Sequence, residues 1–242
     1  MQGKISAVII ARDEEASIES CLRSLKACPS IGECIVLIDD RTVDATEAKA
    51  KLLADVVKTA TFEDFSQMKN AALALASKPW SLLIDADEQL SPELSHELQH
   101  LKPEGHTAFL IPEKNYLGTK WLRYGGLYPD YHIRLFKTGS ATYKGAVHET
   151  LTYAGSTGKL TGAFLHATYR DNAELFAKVR KYAALEGEGV AKSLKKAYFM
   201  GVKRFFGVYV KDLGMLDGVA GLVHAYALAY YQVLKYHPKR KG

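Results

Sequence analysis

A chain of 242 residues, 48% hydrophobic and 24% charged with only 7 prolines, has apolar surface enough to offset ordering entropy, which excludes disordered and collagen-like polymers. Its length suits one α/β domain with an appendage. The net charge of +5 is unevenly spread: from residue 178 onward 13 Lys+Arg face 4 Asp+Glu, whereas the residues before it carry 19 against 23.

The first hundred residues repeat one pattern, a short apolar run followed by a stretch of helical periodicity. Ile5–Ala11 predicts a first strand, and the run is too short to be the apolar core of a secretory signal, so a cytoplasmic location is expected. Ile18, Cys21, Leu22 and Leu25 follow at helical spacing, residues 34–38 predict a second strand and residues 44–53 a second helix. Val56 and Val57 mark a third strand, Met68, Ala71, Ala72 and Leu75 a third helix, and residues 80–84 a fourth strand. Continuous apolar strands alternating with helices predict a mostly parallel, Rossmann-like sheet covered on both faces. Cys21, Cys28 and Cys34 match neither a redox pair nor a zinc knuckle and read as buried thiols. Ser91 and Pro92 supply the cap and first-turn proline of a further helix, with Leu94, Leu98 and Leu101 inward.

After about residue 105 the rhythm changes. Residues 109–111, 132–136 and 141–143 predict short strands, the last two forming a hairpin about Thr138-Gly139-Ser140 and giving the sheet mixed edge strands. From Asn172 the chain turns helical, with Leu175, Phe176, Val179 and Tyr182 on one face, then helices over 192–210 and 213–236 parted near Gly214. Asp217, His224 and Gln232 interrupt the last of these, leaving no apolar stretch of the ~20 residues that a bilayer span needs. The expected domains are an α/β domain over 1–170 and a basic helical extension over 171–242.

Ligands of open α/β sheets bind beyond the carboxyl ends of the strands. There this sequence places Arg12-Asp13-Glu14-Glu15, Asp39-Asp40-Arg41-Thr42-Val43-Asp44 and Asp85-Ala86-Asp87-Glu88. One such cluster could be a helix cap; three on one sheet edge predict a site. In extended geometry Asp85 and Asp87, at i and i+2, would turn both carboxylates to one side as ligands of one hard divalent cation. No P-loop and no G-x-G-x-x-G follows the first strand, so Mg²⁺ or Mn²⁺ is expected to carry the charge of a diphosphate, which points to a nucleotide-activated donor.

These residues resemble the GT-A-fold glycosyltransferases of family 2, through Ile5–Ala11 with Asp13-Glu14-Glu15, residues 39–46, Lys69-Asn70 and residues 80–88. Arg134-Leu135-Phe136, residues 143–149, His166 and Leu216-Asp217-Gly218 further resemble the bacterial lipopolysaccharide-core glucosyltransferase branch. The resemblance implies an inverting, metal-dependent transfer of a hexose, glucose being expected, from a UDP-linked sugar to a lipid-linked or lipopolysaccharide-core saccharide. It places Ala11, Asp13, Glu15, Asp39, Asp40, Arg41, Lys69, Asn70, Asp85, Ala86, Arg134 and His148 at the donor, and Asp85, Asp87 and His166 at the metal. Arg41 stands where the family has glycine, Thr42 where it has serine and Ala45 where glycine is common, and Arg41 lacks glycine's backbone freedom.

An inverting displacement needs a carboxylate to take the acceptor proton; Glu149 is the first candidate and Asp130 the second. His148 either orients its neighbour or packs, His166 either completes the metal shell or is a half-buried histidine, and Arg134 is either a diphosphate clamp or a strand-edge ion pair. Trp121, Tyr124, Tyr128 and Tyr131 around Gly125-Gly126 suit an acceptor platform or a packed loop. The basic tail, with Phe199, Phe205, Phe206, Tyr209 and Lys239-Arg240-Lys241, suits an anionic membrane surface or a solvated helical cap. A peripheral place on the inner face of the cell membrane is the expectation, with an oligomer possible and nucleic acid not a partner. Competing readings are a nucleotidyltransferase and a basic RNA-binding module, the latter without an RNP-like strand or G-x-x-G clamp.

Overall fold

Side chains of β1 (Ile5–Ala11) alternate between two apolar layers, which is why the strand is apolar at every position but Ser6, whose hydroxyl donates to Glu33. Ile5, Ala7 and Ile9 join Cys21, Leu22 and Leu25 of α1 (Ile18–Lys26) in one core. Val8 joins Leu37 of β2 (Ile31–Asp39) and, beyond α2 (Thr46–Leu53) and β3 (Val56–Ala60), Met68 and Ala72 of α3 (Phe65–Leu73) in the other. With β4 (Trp80–Leu83) these strands run parallel in the order β3-β2-β1-β4. All three cysteines are buried free thiols. The computed structural model describes residues 1–145, 149–187 and 193–237.

Beyond β4 come β5 (Glu88–Leu90), α4 (Pro92–His100), β6 (Ala108–Leu117), β7 (Lys120–Trp121), β8 (Asp130–Lys137), β9 (Ala141–Lys144), β10 (Thr150–Tyr153), β11 (Thr157–Lys159) and β12 (Phe164–Tyr169). The sheet continues β4-β8-β6-β12-β5, with β8 antiparallel to β4 and β12 antiparallel to β5. Ser91 caps α4 by accepting from Leu94 N at 3.1 Å, and Pro92 opens its first turn.

The expected hairpin of residues 132–136 with 141–143 does not form. β8 takes β4 as its partner, while β9 pairs with β10 in a separate ribbon. The reason lies on α3: the Asn70 side chain donates to Tyr143 O and accepts from Tyr143 N, both at 2.9 Å, standing in for a neighbouring strand along β9. The strand expected at 109–111 runs on as the ten residues of β6, because Ile111, Glu113, Asn115 and Leu117 stay buried at a period of two although two of them are polar.

Two compact units result, Met1–Glu113 with Tyr131–His166, and Lys114–Asp130 with the described part of Ala167–Gly242. In the second, α5 (Asn172–Glu186) is capped by Asp171 through Glu174 N at 2.8 Å. It buries Leu175, Val179 and Ala183, leaving Tyr182 exposed at the margin of that face, against expectation. The helix expected over 192–210 is α6 (Leu194–Phe206), which passes into a π-helical turn (Gly207–Lys211); Lys192 lies outside the described residues. Leu213 at φ +59° ends that segment, and a 3-10 turn (Gly214–Asp217) leads into α7 (Val219–Tyr236). Leu117, Leu122, Leu175, Val179 and Ala227 make this unit's core. Among the described residues, no helix is long and apolar enough to cross a membrane.

Candidate active site

The loops after β1 and β2 interlock. Ala11 ends β1 buried, and Asp13 adopts φ +54°, a left-handed conformation that aspartate tolerates better than most residues, while its carboxylate accepts from Val43 N at 2.9 Å. Glu15 accepts from Ala45 N at 3.1 Å, at the start of α2. Asp39, 3% exposed, receives the backbone N and side-chain Nε of Arg41 at 2.9 Å and its Nη2 at 2.6 Å. These bonds hold the Asp39 carboxyl down at about 2. Arg41 therefore turns back on Asp39, with its guanidinium carbon 4.4 Å from the Phe62 ring centroid. Asp40 accepts from Thr61 Oγ1 at 2.8 Å.

The sequence Asp85-Ala86-Asp87-Glu88 is a tight turn, closed by Glu88 N donating to Asp85 O at 3.0 Å. This corrects the expectation of an extended segment: the two aspartates take different partners. Asp85 Oδ2 accepts from Arg134 Nη2 at 3.1 Å, whereas Asp87 Oδ2 lies 3.2 Å from His166 Nε2. Antiparallel pairing of β12 with β5 sets His166 opposite Glu88, which fixes the imidazole beside the turn. Burial opposes the imidazolium, but the hydrogen bond to Asp87 and the Glu113 carboxylate 3.7 Å from Nδ1 outweigh it and lift His166 to about 10.

Of the two readings of Arg134, diphosphate clamp or ion pair, the structure takes the ion pair. Arg134 sits in the buried part of β8, and its Nη2 donates to Glu88 Oε1 at 3.0 Å and to Glu113 Oε1 at 2.5 Å as well as to Asp85. The guanidinium is thus an internal partner of three carboxyl groups. Burial raises the Glu88 carboxyl to about 8, while at Glu113 the nearby His166 and the hydrogen bond from Arg134 outweigh burial and lower it. Glu88 and Glu113 are absent from the sequence-derived site, yet Glu113 had a signal: Phe109, Ile111 and Glu113 share one face of β6 by simple alternation.

A short ion pair joins Lys69 of α3 to Glu149. The Lys69 charge also helps lower the Asp85 carboxyl, opposing burial together with Arg134, so Glu149, Lys69, Asp85, Arg134, Glu113, His166 and Asp87 form one network within the first unit. Ala86 is buried inside the turn, and Asn70 is committed to the β9 backbone. His148 lies outside the described residues. Asp130 opens β8, exposed, and belongs to the second unit. The aromatic loop divides likewise: Trp121 meets Tyr128 edge-on at 5.1 Å in the second unit, and Tyr131 lies under Lys159 in the first. Asp217 accepts from Tyr124 N at 2.8 Å, pinning the Gly125-Gly126 segment as a packed loop would be.

Do these residues suit a divalent cation? Two ligand atoms about 2.1 Å from an octahedral ion stand about 3 Å apart, close to the separation of Asp87 Oδ2 and His166 Nε2. A carboxylate with an imidazole suits Mn²⁺, and Mg²⁺ through the oxygen. Glu88, Glu113 and His166 also present ligand atoms within 4.8 Å of one another, but Arg134 already lies between the two glutamates. A divalent cation would therefore fit on the Asp87 side, where its binding would have to displace the His166 proton.

The sequence model of "Glycosyl transferase family 2" matches residues 6–154. The lipopolysaccharide core biosynthesis glycosyltransferase LpsC of Rhizobium meliloti is 27% identical over 95% of this chain and 89% of its own. Among solved structures, S. aureus TarS 1–349 covers 93% of this chain and 90% of that one at 13% identity and a TM-score of 0.49. Glucosyl-3-phosphoglycerate synthase from Mycobacterium tuberculosis, in complex with Mn²⁺, UDP and glucosyl-3-phosphoglycerate, covers 48% of this chain and 44% of its own at 27% identity and a TM-score of 0.36.

Proposed function

Because the chain belongs to glycosyl transferase family 2 and is a glycosyltransferase of the GT-A fold, we propose that it moves a hexose, glucose, from a UDP-linked sugar to a lipid-linked or lipopolysaccharide-core saccharide with inversion at the anomeric carbon. The observation that carries the reading is the Asp87–His166 pair at the end of the parallel layer, in one network with the Lys69–Glu149 pair. Asp87 and His166 would hold Mn²⁺ or Mg²⁺, with Asp85 beside them. Bound there, the cation neutralises a diphosphate and stabilises it as a leaving group.

The protein's own groups do the rest. Glu149 accepts the proton of the acceptor hydroxyl as the new bond forms, and Lys69 holds that carboxylate in place until the acceptor arrives. Asp130 is the alternative base. Asp13, Asp39, Asp40 and Arg41 line the loops that receive the nucleoside, with Ala11 and Ala86 letting the donor approach and Glu15 and Asn70 at its margins. Arg134 keeps Asp85 and Glu113 from repelling one another and bonds to Glu88 between them, which leaves Asp85 ionised beside the donor. An acceptor of this class is anchored in a membrane, so the enzyme works peripherally, at the inner face of the cell membrane; self-association is compatible with this arrangement.

A panel of nucleotide sugars with Mn²⁺ or Mg²⁺, scored for slow donor hydrolysis, tests the reading without the acceptor. UDP-glucose should release UDP fastest; release of pyrophosphate instead would indicate nucleotidyl transfer and overturn it.

A further inference from the structure

Helix α6 turns its small residues inward and its large apolar residues outward. Ala197 and Gly201 are buried, and a Cβ on Gly201 would stand 2.7 Å from Val233 Cγ2 of α7. Phe199, Val202 and Phe206, 66%, 58% and 57% exposed, lie at i, i+3 and i+7 on the outer face. A helix serving only to cover a core would do the reverse. Phe205 and Tyr209, grouped with these aromatics in the sequence, instead stack on each other at 5.3 Å.

The corner beyond α6 repeats the pattern. Leu213 adopts φ +59°, a strained conformation for a side chain other than glycine, and is still 44% exposed; Met215, Leu216 and Val219 follow it into solvent. Residues 194–211 carry Lys195, Lys196, Lys203, Arg204 and Lys211 and no acidic residue. Lys195 and Lys203 stand four residues either side of Phe199, flanking the apolar stripe, with stems long enough to reach past it.

We infer that the outer face of α6 and the corner at 213–219 form an interfacial docking surface for an anionic phospholipid leaflet. Phenyl and aliphatic groups enter the acyl boundary while the ammonium and guanidinium groups lie among headgroup phosphates. Charge selects this occupant over a second copy of the chain, since two such faces would set Lys195 and Lys203 of one copy against those of the other. The exposed phenylalanines select it over a polyanion that offers phosphates alone. The surface carries the enzyme to the leaflet of a lipid-linked acceptor, and only in that purpose does it rest on the proposed reaction.

The test sediments the full chain with phosphatidylcholine vesicles, with and without phosphatidylglycerol, over a range of salt. The chain should pellet with the phosphatidylglycerol vesicles alone and be released as salt rises. Phe199→Ser with Phe206→Ser should weaken partitioning about tenfold per residue, with melting temperature and UDP-sugar hydrolysis unchanged. Leu213→Asn suits the left-handed backbone, so it should melt no lower than the parent chain while also binding vesicles less. Equal binding to both vesicle types, undiminished binding by these variants, or loss of a dimer in place of vesicle binding would overturn the proposal. Vesicle binding without donor hydrolysis would keep the surface and remove the proposed reaction; hydrolysis without vesicle binding would do the opposite.

Discussion

Glu149 is paired with Lys69, and that ion pair decides how its role can be read from kinetics. Glu149→Gln keeps the shape of the side chain and removes its basicity. Loss of a general base typically lowers the rate 10²–10⁴-fold, so kcat should fall by that order with little change in donor KM. Asp130→Asn, in the second unit, should leave kcat within a few-fold; the reverse pattern would move the base to Asp130. Arg134 gives a contrasting prediction, for stability. Arg134→Met would leave Asp85, Glu88 and Glu113 crowded without their shared counter-ion, and breaking a buried pair in this way costs about 3–5 kcal/mol. Its melting temperature should drop sharply; an unchanged one would show that the carboxylates find compensation elsewhere.

At the scale of elements, the parallel half was legible because each of its strands is centred on a mostly apolar run followed by a helical period, a rhythm that the packing follows. The mixed half was less so. Nothing in the local sequence of residues 132–143 distinguishes a hairpin from two strands going separate ways; the outcome was set by Asn70, far away in the chain. The site divides along the same line. Motif position suggested Asp85, Asp87 and His166 as members of one site, a reading that stays a proposal, but the turn that gives the two aspartates different partners, and the internal salt cluster of Glu88, Glu113 and Arg134, exist only once β6, β8 and β12 meet. In the helical unit the entry to α7 rests on a backbone approach: a Cβ on Gly221 would stand 1.9 Å from Gly214 O. Backbone must shift to admit it, so Gly221→Ala should destabilise by roughly 1–3 kcal/mol, seen as a lower melting temperature, despite alanine's higher helix propensity.

For the molecule as a whole, pH should act on stability through His224, 3% exposed on α7. Burial, helped by Arg204 and opposed by Asp217, lowers its pKa from 6.5 to about 4. Between these values the unfolded chain binds a proton that the folded chain refuses, so stability declines as pH falls through that window, by about 3 kcal/mol if His224 acted alone. His224→Gln should flatten the fall in melting temperature between pH 7 and pH 5; an unaltered slope would remove His224 as its cause. The charge asymmetry follows the division of the chain: the acidic first unit holds the network around Asp87, and the basic helices carry the exposed apolar stripe. The most direct test of the account is UDP release from UDP-glucose in Mn²⁺, measured for the parent chain, for the parent chain in EDTA, and for Asp87→Ala. The account predicts turnover in the first, abolition by the chelator, and a loss of roughly 10²-fold or more in the variant at an unchanged melting temperature. Full turnover in EDTA, or by Asp87→Ala, would contradict it.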